Sequence, residues 1–550
     1  MGRSPDERLT PATAREACVR LGVKAVVSGE IAPLGSRYVI TLNALNCQSG
    51  DTLASQQVEA SKKEEVLEAL GNATMKVRSK LGESLGSIQK FDAPIEQVTT
   101  SSLEALRAYS LGFEERRKGK EVEAIPFFQR AIELDPNFAM AYTTLAFAYT
   151  NLGESEKSAE YAAKAYELRD RVSEGEKLEV TAKHWTAAGD VERTIDTYSL
   201  WKQTYPRDWV PLHNQAVQYF ATGEYEKGVE DEREAILLAP RQPRPYAILG
   251  LTYMNLNRFA EAKTICAKAL AQQLDSAGIR EVIYKIGFIE GDATAMQGVA
   301  EWAKGKPEES RLSSWEAEAA TFSGNLRKSR ELTRHAIEVA ERYNLKETAS
   351  RDEAAGALTE AEFGNFRQAA ERAAGALSLA RSQQSMALAA QALALSNDAG
   401  QAQRLIDDLA KRFPSATLLN IVSLPTARAA IEIQRGNPAK AIEFLRPAGP
   451  YELGNHAQFI PIYVRGLAYL RARQGVQAAA EFQKILDHRG VGPLSPLYAL
   501  AHLGSARAYA LAGETSKSRT AYQDFLALWK DADPDIPILQ AAKAEYAKLK

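Results

Sequence analysis

No window of the sequence reaches the roughly 18 uninterrupted apolar residues that a membrane helix needs, so no transmembrane span is expected. The opening, "MGRSPDERLTPATAREAC", has no apolar core of the kind a secretory leader carries, and the cytoplasm is the default compartment. Neither charge is in excess, with Lys+Arg 68 against Asp+Glu 70, which excludes the basic surplus of a nucleic-acid binder. Cysteine is scarce. Cys18, Cys47 and Cys266 stand far apart with no Cys-x-x-Cys pair, which argues against a zinc knuckle or a disulfide framework. Cys266 reads as a small core residue.

Chemical motifs are missing as well. The six histidines include no His-x-x-x-His pair on one helix face, so no metal is called for. "DADPD", Asp531 to Asp535, starts like a calcium loop, but Ile536 and Ala542 stand where glycine and glutamate are needed, leaving Asp535 as a helix cap. Gly305-Lys306 is followed by Pro307 and is not a phosphate loop. The acidic run Glu230-Asp231-Glu232 reads as a solvated helix face. No catalytic residue, cofactor or metal is assigned, and the chain reads as a non-enzyme.

What is present is a period. Aligned on Pro136, Pro206 and Pro240, matched positions recur about 34 residues apart, with a two-residue insertion near Val172-Ser173. Tyr142, Leu145, Ala146 and Tyr149 fall on one helix face, and Tyr246, Leu249, Gly250 and Tyr253 repeat them. Gly153, Gly189, Gly223 and Asn257 fall where each first helix must stop, since these residues tolerate the left-handed conformation of a helix end. Leu111, Gly112, Ala124, Phe128, Ala131 and Pro136 carry the resemblance: the units look like tetratricopeptide repeats.

That resemblance implies a mostly α fold, a right-handed α-solenoid of about a dozen helix pairs, preceded by a small α/β domain. Residues 1–90 read as helix, three strands and helix, the β-branched runs broken by Gly29, Pro33-Leu34-Gly35 and Gln48-Ser49-Gly50. Gly22, Val27, Gly29 and Ser49-Gly50-Asp51 are similar to the α/β domain that precedes such arrays in bacterial signalling proteins, and by that likeness the domain is incomplete. Residues 91–100 form a linker, after which Ser101 and Glu104 make a capping box. Regular repeats follow over 101–275, degenerate pairs over 276–534 and a closing helix over 535–550.

The whole chain, notably its ending "AYQDFLALWKDADPDIPILQAAKAEYAKL", resembles the non-catalytic C-terminal half of bacterial serine/threonine protein kinases. It contains no Gly-x-Gly-x-x-Gly loop, Val-Ala-Ile-Lys, His-Arg-Asp or Asp-Phe-Gly, so the resemblance implies no phosphoryl transfer. It implies instead a sensor or regulatory region, of a kinase or of a transcription regulator, and in such kinases a membrane segment can place the repeats outside the cytoplasm. By the tetratricopeptide likeness, a protein or peptide partner is expected in the concave groove. The groove residues are Thr143, Phe147, Asn151, His213, Asn214, Val217, Phe220, Leu251, Met254 and Asn255. Only Asn214 and Arg244 fall near the family's carboxylate clamp, with Ile248 at an expected arginine, so a clamp is not assigned.

Overall fold

A computed structural model describes residues 10–20, 23–83 and 100–549. The proposed linker, apart from Thr100, and Gly22 lie outside them. Among the described residues 27 α-helices and one three-stranded sheet form a mostly helical, repeat-built solenoid with the sheet near the N-terminus. The chain divides into two compact units, residues 1–148 with 160–181 and residues 149–159 with 182–550.

In the first unit, strands β1 (Ala25–Leu34), β2 (Arg37–Asn46) and β3 (Thr52–Ala60) pair antiparallel in that order. Gly29 does not break a strand, since it pairs with Leu42 inside the ladder; β1 runs on through Pro33 and Leu34, and the turn falls on Gly35 and Ser36, with Gly35 at φ +62°. A proline is tolerated there because β1 is an edge strand and needs no N–H for the ladder on its open side. Helix Val66–Lys80 covers one face, packing Ala73 and Val77 on Leu42, Ala44 and Ala54.

Contrary to the reading of its cysteines, this unit holds a disulfide: Cys18 of helix Pro11–Arg20 is bonded to Cys47 just after β2, with their Cα atoms 5.7 Å apart. Sequence separation hid the pair, since the β-hairpin that joins them is what brings them together. Arg15 reinforces the junction, donating from Nε to the Cys47 carbonyl at 3.0 Å. The first repeat helix, Leu103–Arg117, is capped by Ser102, whose hydroxyl accepts from the Ala105 amide at 3.2 Å. The predicted cap at Ser101 is therefore one residue early.

From Leu103 onward the helices come as twelve consecutive pairs, ending in Pro496–Leu511 with Thr515–Leu528, and a last helix, Pro537–Ala547, closes the array. Asp535 does not cap that helix. It pairs instead with Arg327 at 3.1 Å, and Ile536 holds the cap position. Small residues let the helices approach: Phe482, wholly buried, lies where a Cβ on Gly466 or on Gly504 would come within 2.6 Å of its ring.

The turns after the first helices carry a second layer of order inside the second unit. Gly153, Gly189, Gly223, Asn257 and Gly324 all have positive φ. That geometry ends the helix and leaves its last carbonyls pointing outward. The donors they meet come from far along the chain. Thr348 donates from Oγ1 to the Leu152 carbonyl at 2.9 Å, and the Thr417 amide donates to Gly189 at 2.9 Å. The Asn455 and His456 amides donate to Phe220 and Ala221, while Gly490 donates to Oδ1 of Asn257 at 2.8 Å. Trp529 donates from Nε1 to Phe322 at 3.0 Å. Glu154 and Glu347 complete the set by capping each other's helices: Glu154 accepts from the Glu347 amide and Glu347 from the Glu156 amide, each at 3.0 Å. The unit is thus wound so that one round of repeats is stitched to the next.

Candidate functional site

The stitching decides how much of the expected groove is open. In the first unit Thr143 is fully buried and donates its hydroxyl to the Ala139 carbonyl at 3.0 Å. Phe147 is half-buried, with the Arg116 guanidinium 5.6 Å from its ring centroid. In the second unit Asn151 is exposed, and Asn214 and Val217 are half-buried. Phe220, Leu251, Met254 and Asn255 are buried. Phe220 packs on Tyr225, and the Asn255 amide lies 2.8 Å from the Tyr225 hydroxyl. A Cβ on Gly490 would strike the Met254 carbonyl, so the last turn of that helix is covered by the next round of the array.

His213 faces Glu232, with Nδ1 2.8 Å from Oε1. Burial pushes the imidazole down to about 3 and the Glu232 carboxyl well above its ordinary range, so the two form a neutral pair in which Glu232 donates to Nδ1. Asp231 is buried beside it and pairs with Lys202 at 2.5 Å. The Glu230-Asp231-Glu232 run is therefore not a solvated face. A helix of 3.6-residue period turns two of three consecutive acids inward here, and each finds a partner from another helix.

The same first-helix offsets, continued into the degenerate pairs, reach residues that sequence reading passed over. Glu318 stands six residues before Gly324, as Val217 stands before Gly223 and Leu251 before Asn257. Glu362 stands two before Gly364, the place Asn255 holds before Asn257. Glu318 is exposed, yet burial is the chief cause of its raised pKa, ahead of Lys285 and of the repelling Asp352 and Glu281. Around Glu318, Glu281 is buried and ion-paired with Lys285 at 2.6 Å and Arg311 at 2.9 Å. Burial opposes the charge on Glu281, but those two cations overcome it and hold its pKa below the usual range. Ser314 donates to Asp352 at 2.8 Å, and Arg351 pairs with Asp352 at 3.1 Å. Glu318 and Glu362 have no ion pair or side-chain hydrogen bond among the described residues. Burial lifts the Glu362 carboxyl to about 8. Burial pushes the Tyr463 phenol upward, and the nearby Glu362 carboxylate adds to that rise.

Two stretches match family models for the tetratricopeptide repeat, residues 127–160 and residues 243–275. The chain carries tetratricopeptide repeats. Among solved structures, it is similar to yeast Tom70 at 15% identity, with 81% of this chain and 95% of that chain covered and a TM-score of 0.30. The human IFIT1 dimer with PPP-AAAA matches at 13% identity over 78% of this chain and 91% of that chain, with a TM-score of 0.33. PilW, a widely conserved type IV pilus biogenesis factor, matches at 18% identity over 37% of this chain and 93% of that chain, with a TM-score of 0.27. Tetratricopeptide repeats are a protein-binding scaffold, and no described helix here is long and apolar enough to cross a membrane.

Glu362 carries a pH prediction. Its folded pKa is raised above the unfolded value, so the folded state holds a proton that the unfolded state has lost between the ordinary carboxyl range and about 8. Stability from this group is full at acid pH and falls as pH rises to about 8. Urea unfolding across that range is expected to show a fall that Glu362→Gln lessens. An identical pH slope in the variant contradicts the assignment.

Proposed function

We propose that the chain is a non-enzymatic scaffold that captures a peptide or protein partner along the first-helix face of its second unit, where Glu318 and Glu362 receive cationic side chains. The supporting observation is that Glu318 is water-accessible and makes no ion pair or side-chain hydrogen bond of its own among the described residues, while the cost of desolvating its charge raises its pKa. An incoming Lys or Arg relieves that cost, and a charge-assisted hydrogen bond is about twice as strong as a neutral one. Of the residues expected to line a groove, Asn151, Asn214 and Val217 keep accessible surface in this unit and would add amide edges and apolar area.

Panning the purified chain against an immobilised peptide library tests this. Selected peptides are expected to carry Lys or Arg, and Glu318→Gln to weaken them roughly tenfold, the loss of one charged contact. Selection of uncharged peptides, or full affinity in the variant, contradicts the reading.

The Cys18–Cys47 disulfide favours a second reading of where the scaffold works. Such bridges persist in oxidising compartments and are rare in the cytosol. That suits the extracytoplasmic, sensing region of a membrane-anchored kinase, the arrangement implied by the resemblance of the chain's wording to such kinases. Trapping free thiols in intact cells with N-ethylmaleimide before lysis separates the two compartments. Mass spectrometry is expected to find Cys18 and Cys47 joined and unalkylated; alkylation of both places the chain in the cytosol.

A further inference from the structure

A half-open cavity of about 350 Å³ lies in the second unit, lined by Gln403, Arg428, Ile431, Glu432, Lys440 and Phe444 together with Arg435. It is formed where helix Ala399–Arg412 of one pair meets helices Leu424–Gln434 and Pro438–Leu445 of the next. Three cations and one carboxylate face it. Glu432 is 3% exposed and already saturated: Oε1 accepts from Arg435 at 3.1 Å and from Lys440 at 3.3 Å, and Oε2 accepts from Asn437 at 2.9 Å. The Asn437 hydrogen bond, with help from the two cations, holds its pKa below the usual carboxylate range, so it is ionised and neutralises one of the three positive charges.

Two positive charges are left over. Arg428 is half-buried and has no ion pair or side-chain hydrogen bond among the described residues, although it leaves a helix face whose neighbours Ala427, Ala429 and Ile431 are all buried. Its placement beside two further cations is unfavourable in an empty cavity, because like charges repel and five guanidinium donors are left to water. Two apolar residues share the lining. Ile431 is 1% exposed, and the ring of Phe444 lies beneath the Lys440 ammonium at 5.6 Å.

We propose that this cavity binds a small phosphomonoester, with its dianionic head between Arg428, Arg435 and Lys440 and its apolar body against Phe444 and Ile431. A phosphomonoester near neutral pH carries close to two negative charges, which matches the surplus, and guanidinium forks suit phosphate oxygens. Glu432 acts as a positioning residue that fixes the headgroups of Arg435 and Lys440. The volume is near the small end of the range for small-molecule sites, which favours a free small ligand over a chain segment. The site shares no residue with the Glu318 surface and is of opposite charge, so its success or failure is independent of the peptide reading.

Isothermal titration of the full chain with phenyl phosphate tests the proposal. Saturable binding is expected, with inorganic phosphate weaker because it lacks the apolar body and phenol silent because it lacks the charge. Arg428→Gln and the exposed Lys440→Gln are each expected to weaken phenyl phosphate about tenfold or more, as removal of a charge-assisted contact does. Arg381→Gln, at an exposed site paired with Asp408, is the charge-matched control and is expected to bind as the unaltered chain does. Thermal unfolding checks that each variant is folded. Equal binding by the Arg428→Gln or Lys440→Gln variant, equal loss in the Arg381→Gln control, or no binding of phenyl phosphate at millimolar concentration overturns the proposal.

Discussion

The outward carbonyls of the left-handed turns are the constraint on which the second unit depends. A helix end leaves its last carbonyls without intrahelical partners, and in an isolated repeat water takes them. Here amides and side chains between 196 and 235 residues further along take many of them instead. Repeat arrays are held mainly by contacts between neighbours, so their stability is close to a sum over adjacent units. A seam between rounds adds a non-local term. It couples the turn at Gly223 to Leu453 and Gly454, and the turn at Asn257 to Asp487 and Gly490.

Closure of this kind has a consequence for recognition. First-helix positions that an open solenoid offers to a partner are partly spent on the molecule's own packing, as Met254 and Asn255 are. Asn151, Asn214 and Val217 keep surface, and the same offsets continue along the array to Glu318 and Glu362. Around Glu318, Glu281 with Lys285 and Arg351 with Asp352 are already paired, so the charges there are ordered before any ligand arrives. Preorganisation of that sort lowers the ordering cost of binding.

Legibility in the sequence followed range. The helix pairs, their number, the closing helix and the turn residues Gly153, Gly189, Gly223 and Asn257 were readable, because a helix stripe and its stop signal are written within one repeat. The three strands were readable from alternation and turn residues for the same reason. Cys18–Cys47 was not, because its closure depends on a hairpin folding between the two. Burial of Asp231 and Glu232 was not, because Lys202 and His213 belong to other helices. The seam left no local mark at all: Gly454 and Gly490 look like ordinary loop glycines until Ala221 and Met254 are placed against them. For the candidate site, sequence offsets name positions on the first helices, but which of those residues stay open is set by the next round of the chain, as Gly490 over Met254 shows.

Small-angle scattering of a Gly454→Val, Gly490→Val double variant tests the seam most directly. A Cβ at those positions would come within 2.4 Å of the Ala221 carbonyl oxygen and 1.8 Å of the Met254 carbonyl oxygen. If the seam holds successive rounds together, the variant keeps the helical circular dichroism of the unaltered chain and gains radius of gyration as the rounds part. An unchanged radius with unchanged helicity would contradict it.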